Sequence, residues 1–208
     1  MQPKPYPVPD LLLWRRLLAG EVPAFEEIMR EHYTALFRYG TKFSRDRALI
    51  QDAIQDVFLE VWEKRAHIDD QIPPKPYLMA SVRRRIHRLT NSSPPVLNAD
   101  APENNPFDIE FSVEESFIRT EETLKLAQHL SSLLNGLPPR QQEAVYLKFF
   151  HEMSRDEISE VMHIAPQSVS NLLQTAIKWL KVNWSKNLAL GILVWIKAYL
   201  IGTFLQRL

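Results

Sequence analysis

The chain has 208 residues, 45% of them hydrophobic, and its 25 basic residues balance its 25 acidic residues. This length suits one large domain or two small ones, and the neutral sum gives no sign of a nucleic-acid partner. The absence of cysteine excludes disulfide bonds, thiol catalysis and cysteine-ligated zinc, and it fits a reducing compartment. The sequence has no glycine-rich phosphate loop, nucleophile elbow or paired-histidine zinc motif. We therefore expect no enzyme, no small-molecule substrate, no catalytic residue, no cofactor and no metal site.

Apolar residues recur at helical spacing, no β-alternation persists, and prolines cluster between the helical blocks, so an all-α fold is predicted. The start of the chain, MQPKPYPVPD, contains no apolar run and predicts no signal peptide. Asp10 is expected to cap a short first helix that ends at Gly20. A second helix begins near Pro23, and its predicted buried stripe consists of Phe25, Ile28, Met29, His32, Leu36, Tyr39 and Phe43.

The third predicted helix, from about 46 to 65, carries two stripes. The apolar stripe is a candidate core and consists of Ile50, Ala53, Ile54, Val57, Val61 and Trp62. The second stripe is acidic and amide-rich and consists of Asp52, Gln55, Asp56, Leu59 and Glu63. Charged stripes are normal on surface helices, so solvated surface is the favoured interpretation and a partner-binding face is the alternative.

The fourth predicted helix, PYLMASVRRRIHRL, is strongly basic. Its cationic and planar side chains are Tyr77, Arg83, Arg84, Arg85, His87 and Arg88. Guanidinium groups suit phosphates and planar rings suit stacking on unpaired bases, which favours a nucleic-acid surface. The alternative is a solvated basic helix that pairs with the acidic, proline-rich linker at 91–120. That linker is predicted to be extended or disordered, and we hypothesise that its acids mask the arginines in the free protein.

Residues 137–181 have the layout of a helix-turn-helix, a common DNA-binding unit. Ser154 and Glu157 form a capping box that marks the start of the middle helix. Residues 163–165 are short enough to be the turn, and Pro166 opens the last helix.

The last helix of this unit is predicted to be amphipathic. Its apolar face consists of Val169, Leu172, Leu173, Ala176 and Leu180. On the polar side, Asn and Gln can pair with adenine, and Lys can reach guanine or phosphate. We predict base contacts for Gln167, Ser168, Ser170, Asn171 and Gln174, and DNA-backbone contacts for Lys178 and Lys181. A merely solvated face is an equal alternative, because any amphipathic helix shows this pattern.

Residues 185–208 are predicted to form a hydrophobic C-terminal helix. The segment LALGILVWIKAYLIGTFL at 188–205 has one charge, Lys197, and approaches transmembrane length. A central lysine costs about 2.5–3.5 kcal/mol for insertion, so packing onto the protein's own domains or onto a partner is favoured. Contact with a membrane surface and a loose, aggregation-prone end are the alternatives.

Taken together, these blocks resemble bacterial sigma factors of the extracytoplasmic-function (ECF) type, which are two-domain sigma subunits of RNA polymerase in the sigma-70 family. The helix by which members of this family bind the polymerase clamp is similar to the segment DAIQDVFLEVWEKR. YLMASVRRRIHRL is similar to the next helix, which engages the minus-ten promoter element. LPPRQQEAVYLKFF and SRDEISEVMHIAPQSVSNLLQTAIKWLK are similar to the domain that reads the minus-35 element.

The resemblance implies sigma region 2 at 10–90, a flexible linker at 91–120 and sigma region 4 at 121–184. It implies a cytoplasmic protein that binds core RNA polymerase and promoter DNA under the control of a membrane anti-sigma factor. The core-polymerase residues that it implies are Asp52, Gln55, Asp56, Phe58, Leu59 and Trp62, with Phe58 and Trp62 mainly packing. For minus-ten DNA it implies the six residues of the basic helix given above, together with the loop at 68–76.

Two other functions are alternatives. A stand-alone helix-turn-helix regulator would bind DNA without polymerase, and it would need no clamp-binding stripe on the third helix. A membrane-associated interaction protein would rest on the apolar tail alone.

Overall fold

The computed structural model describes residues 8–90, 107–109 and 120–183. These residues form eight α-helices and one short 3-10 helix, without a β-strand among them, so the predicted all-α fold is confirmed. The α-helices are α1 (Val8–Leu18), α2 (Val22–Gly40), α3 (Arg47–Lys64), α4 (Pro74–Thr90), α5 (Glu121–Asn135), α6 (Pro139–Phe149), α7 (Arg155–Met162) and α8 (Pro166–Asn183). The 3-10 helix, Arg65–His67, directly follows α3.

Local hydrogen bonds explain where several helices begin. The side chain of Asp46 accepts hydrogen bonds from the backbone N–H groups of Ala48 and Leu49, at 3.0 and 3.1 Å, and so caps α3. The predicted capping box of α7 is present, because Ser154 and Glu157 each accept a hydrogen bond from the other's backbone N–H. The expectation that Asp10 caps α1 is wrong. The helix begins at Val8, three residues earlier than a cap at Asp10 would place it, and Asp10 lies in its first turn.

Helices α1 to α4 pack around one apolar core. Its largest fully buried side chains include Trp14, Leu17, Ile28, Tyr39 and Ile86. Gly40, at the end of α2, allows the close approach of α3, since a Cβ atom there would lie 2.6 Å from Cγ2 of Ile50. The predicted stripe of α2 is buried at most positions, but Phe25 is only partly buried and Met29 is 38% exposed.

Helices α5 to α8 form a second bundle, in which α6 packs on α8 and α7 packs on both. Buried Leu147, Met153, Ile158, Val161 and Val169 fill its interior. The two bundles are in contact, mainly through α4 and α7. The predictions for most of the linker and for the apolar segment 188–205 lie outside the described residues. Within the described ranges, no helix is both long and apolar enough to cross a membrane.

Candidate nucleic-acid interface

Helix α8 presents the polar face that the sequence predicts. Six of the seven candidate DNA-binding side chains of this helix are exposed: Gln167, Ser168, Asn171, Gln174, Lys178 and Lys181. The seventh, Ser170, is partly buried and donates a hydrogen bond to the carbonyl oxygen of Pro166 at 3.3 Å. Val169 and Ala176 are buried on the opposite side, so α8 is anchored by one face and leaves the other open.

The turn before α8 is fixed by short-range contacts. His163 adopts the left-handed conformation, with φ of 54°, and ends α7. The hydroxyl of Ser159 donates a hydrogen bond to the carbonyl oxygen of Ile164 at 2.6 Å. On α8 itself, Nε2 of Gln167 donates to Oδ1 of Asn171 at 3.1 Å. The two amides that are candidates for base contacts are therefore aligned one helical turn apart, on the same exposed face.

The basic helix α4 presents fewer cations to solvent than its sequence suggests. Arg84 and Arg88 are exposed, whereas Arg85 is partly buried and forms ion pairs with Asp56 at 3.5 Å and Glu60 at 3.2 Å. Arg83 is only 6% exposed. Two of the four arginines are thus directed to solvent and two are engaged by carboxylates.

The planar side chains of α4 are also engaged. The ring of Tyr77 lies 5.8 Å from that of Trp14, and burial raises the pKa of its hydroxyl. The ring of His87 packs edge-on against Phe43 at 5.3 Å. Neither ring is fully open for base stacking in this arrangement.

Arg83 forms a buried ion pair with Glu143 of α6. Its Nε donates to Oε1 of Glu143 at 2.7 Å, and its Nη2 donates to Oε2 at 3.2 Å. The hydroxyl of Tyr39 donates to Oε1 of Glu143 as well, at 2.5 Å. Glu143 is 2% exposed, and the carboxylate is therefore enclosed by groups from α2 and α4. The sequence analysis gave Glu143 no role, and its partner 60 positions away leaves no local signal.

Further contacts join the two bundles around this pair. Nζ of Lys75 donates to the carbonyl oxygen of His151 at 2.9 Å. The imidazole of His151 packs against the rings of Tyr39 and Tyr146, and its Nε2 atom is buried without a hydrogen-bond partner. Burial, with the positive charges of Lys75, Arg38 and Lys42, lowers the pKa of His151 to about 3. All three of these cations belong to the first bundle, whereas His151 follows α6 of the second.

Residues 107–109 lie across the same junction. The side chains of Phe107 and Ile109 are buried, at 5% and 0% exposure. The backbone N–H of Asp108 donates to the carbonyl oxygen of Lys42 at 3.0 Å, and that of Ile109 donates to Oδ1 of Asn135 at 2.9 Å. The acid of this segment, Asp108, pairs with Arg45 at 3.3 Å rather than with the basic helix. In the described part of the linker, the masking hypothesis is therefore not supported.

The second stripe of α3 is exposed as a continuous face. Asp52, Gln55 and Glu63 are exposed, and Leu59 is 59% exposed although it is apolar. Asp56 is partly exposed beside Arg85. Phe58 is 2% exposed, and Trp62 is partly buried with its ring 5.1 Å from that of Phe25. These two aromatic residues pack in the first bundle, and the other four candidates face solvent or the basic helix.

Two family models match the chain in the order of the two bundles. The model described as Sigma-70 region 2 matches residues 28–92, and the model described as Sigma-70, region 4 matches residues 128–180. Together they span more than half of the chain. The protein belongs to the sigma-70 family. The exposed stripe of α3 and the basic helix α4 lie in region 2, and the helix-turn-helix lies in region 4.

Comparison with solved structures supports the fold of this sigma-70 chain. CnrH, solved in complex with the cytosolic domain of CnrY, superposes with a TM-score of 0.57 at 20% identity, covering 83% of this chain and 95% of that one. The sigma factor RpoE from Bartonella quintana, solved in complex with the anti-sigma factor NepR, gives a TM-score of 0.52 at 18% identity. That match covers 77% of this chain and 96% of RpoE. A sequence search of curated proteins gave no match.

Proposed function

We propose that the chain is a sigma factor of the ECF type, which binds core RNA polymerase and directs it to promoters. The observation that carries this proposal is that regions 2 and 4 occur in one chain in the expected order, each with an open polar face. The protein positions polymerase and stabilises melted DNA, and it catalyses no covalent step of its own.

Region 4 supplies contacts to duplex DNA at the minus-35 element. Gln167, Asn171 and Gln174 lie on the exposed side of α8, where amide groups can pair with adenine edges in the major groove. Lys178 and Lys181 follow on the same helix and supply phosphate contacts. This face of α8 carries only two lysines, so region 4 can make few phosphate contacts. We therefore expect region 4 alone to bind DNA weakly and to depend on polymerase.

Region 2 supplies the contacts to polymerase and to the minus-ten element. The polymerase face consists of Asp52, Gln55, Asp56 and Leu59. An exposed leucine among carboxylates is more typical of a partner-binding surface than of a surface that contacts only water. Arg84 and Arg88 are exposed and can contact phosphates in the present arrangement. The rest of the minus-ten surface forms once the present contacts of four other residues change: Arg83, Arg85, Tyr77 and His87. Capture of an unstacked base costs a few kcal/mol, which these contacts offset.

The proposed regulator is an anti-sigma factor, and the proposed location is the cytoplasm. Support comes from CnrH and RpoE, which were solved with CnrY and with the anti-sigma factor NepR respectively. On this proposal, a membrane anti-sigma factor would occlude the polymerase face and the promoter faces.

The proposal is tested by mixing the purified chain with core RNA polymerase and genomic DNA fragments, then sequencing the fragments that are protected. Protection of a small, reproducible set of fragments that requires both proteins is the expected result. Protection of the same fragments by the chain alone would instead identify a stand-alone regulator.

A further inference from the structure

We propose that the ion pair between Arg83 and Glu143 is a latch that holds regions 2 and 4 together in the free protein. In this closed form, the guanidinium of Arg83 is unavailable to DNA. Engagement of a promoter then requires Arg83 to exchange the carboxylate of Glu143 for a DNA phosphate. The exchange rests on the proposed function, which assigns Arg83 to minus-ten DNA, whereas the latch itself rests on the contacts between the two regions.

The geometry makes the two uses of Arg83 mutually exclusive. The guanidinium meets both oxygens of Glu143, at 2.7 and 3.2 Å, in a site where the two side chains are 7% and 3% exposed. Carboxylates and phosphates offer the same paired acceptor oxygens to arginine. A phosphate cannot enter while α6 covers this position, so Glu143 occupies the site that DNA would use.

The latch is the polar centre of a larger junction. Tyr39 adds a third hydrogen bond to Glu143, and Lys75 binds the backbone of His151. Backbone N–H groups of the segment 107–109 donate hydrogen bonds to Lys42 of region 2 and to Asn135 of region 4, so this segment is bound to both regions. Opening would therefore have to release this segment together with the ion pair.

An ion pair suits a switch better than an apolar contact would. The cost of removing two charges from water offsets much of their attraction, so a buried pair adds little net stability when closed. Loss of one partner leaves a buried charge and is strongly unfavourable. The closed form is thus sensitive to any group that competes for Arg83, and DNA phosphate is such a group.

The chain offers a direct measurement of closure, because it contains no cysteine. Spin labels can be attached at Arg30→Cys on α2 and Lys125→Cys on α5, whose native side chains are 76% and 71% exposed. Electron paramagnetic resonance then reports the distance between the two regions. We expect one short, narrow distribution for the labelled parent protein.

Two variants weaken the latch by different amounts. Glu143→Gln should raise the ratio of open to closed molecules at least tenfold, and Tyr39→Phe should shift it less, in the same direction. Glu160→Gln is the matched control, because it makes the same charge change at an exposed position of α7 and should leave the distances unchanged. The paired replacement Arg83→Met with Glu143→Leu should restore the short distance, since it leaves no buried charge.

The exchange with phosphate is tested separately, with a fluorescent oligothymidylate as the probe. Glu143→Gln should bind it more tightly, and the slope of log affinity against log salt should steepen by about 0.7, as expected for one more phosphate contact on a single strand. Unchanged distances in both Glu143→Gln and Tyr39→Phe, with native helicity by circular dichroism, would overturn the latch. Longer distances without tighter DNA binding would instead overturn the phosphate exchange and the minus-ten role of Arg83.

Discussion

Nε of Arg83 lies 2.7 Å from Oε1 of Glu143, and the two residues are 60 positions apart in the sequence. The contact joins the basic helix α4 of region 2 to α6 of region 4, which is the first of the three helices at 137–181. It leaves Arg84 and Arg88 as the arginines of α4 that are exposed to solvent. The DNA-binding surface of region 2 is consequently smaller in this arrangement than the four arginines of the sequence suggest.

Leu59 should contribute to polymerase binding without contributing to the stability of the fold. Its side chain is 59% exposed, so Leu59→Ala should weaken binding to core polymerase by more than about 1 kcal/mol and leave the free energy of unfolding unchanged. Leu12, which is 58% exposed on α1, is the matched control, and Leu12→Ala should leave polymerase binding unchanged. Binding can be measured by fluorescence anisotropy of the labelled chain. Equal losses from both variants would contradict a specific role of Leu59.

Phe58 should show the opposite behaviour, although it is the neighbouring residue. Its ring is 2% exposed and packs edge-on against Phe25. Phe58→Ala should therefore lower the free energy of unfolding by about 3–5 kcal/mol, measured by urea denaturation. A loss below about 1 kcal/mol would show that the ring is not part of the core.

Asn171 and Lys178 should differ in how they affect binding of duplex DNA. Asn171→Ala should cost about 1–3 kcal/mol on the preferred minus-35 sequence and little on other sequences. Lys178→Ala should weaken binding to all duplexes alike and reduce the salt slope by about 0.9. Anisotropy titrations at several salt concentrations separate the two, with Lys125→Ala as the charge-matched control. A uniform loss for Asn171→Ala would remove this residue from base recognition.

The closed arrangement should become less stable in acid because of His151. The pKa of His151 is about 3 in the closed form, whereas a histidine ordinarily has a pKa of 6.5. Above pH 6.5 the imidazole is neutral in both forms, so the closed form keeps its full stability there. As pH falls below 6.5, opening takes up a proton and the closed form loses stability, by up to tenfold in the open-to-closed ratio for each pH unit. The label distances measured between these pH values test this. His151→Gln should reduce the dependence, and the exposed control His67→Gln should retain it.

Gly40 should not tolerate a side chain. A Cβ atom there would lie 2.6 Å from Cγ2 of Ile50 and 3.2 Å from Cδ1 of Ile86. Gly40→Ala should lower the free energy of unfolding by about 1–3 kcal/mol in urea denaturation. In an Ile50→Ala background the same change should cost less, and an equal cost in both backgrounds would exclude the steric explanation.

The features that the sequence predicted correctly depend on neighbouring residues. The capping box of Ser154 and Glu157 involves two residues that are only three positions apart. The exposed polar face of α8 follows from helical periodicity. The assignment of Asp10 as a cap failed because the helix continues to Val8, and a helix boundary is set by small differences in local energy.

The features that the sequence did not predict depend on distant residues. Periodicity places Arg83 on the flank of α4, but whether a flank is exposed depends on what packs there, in this case α6. The same reasoning applies to Phe107 and Ile109, which are buried because they meet both regions. The binding roles of individual residues on α3, α4 and α8 remain predictions, since exposure alone does not identify a partner.

Run-off transcription with purified core RNA polymerase tests the central claim most directly. The templates would be the genomic fragments that the chain and polymerase protect together. We predict discrete transcripts that require the chain, that Leu59→Ala reduces and that Leu12→Ala leaves unchanged. Absence of transcripts from every template, while the chain still binds duplex DNA, would contradict a sigma factor and favour a stand-alone regulator.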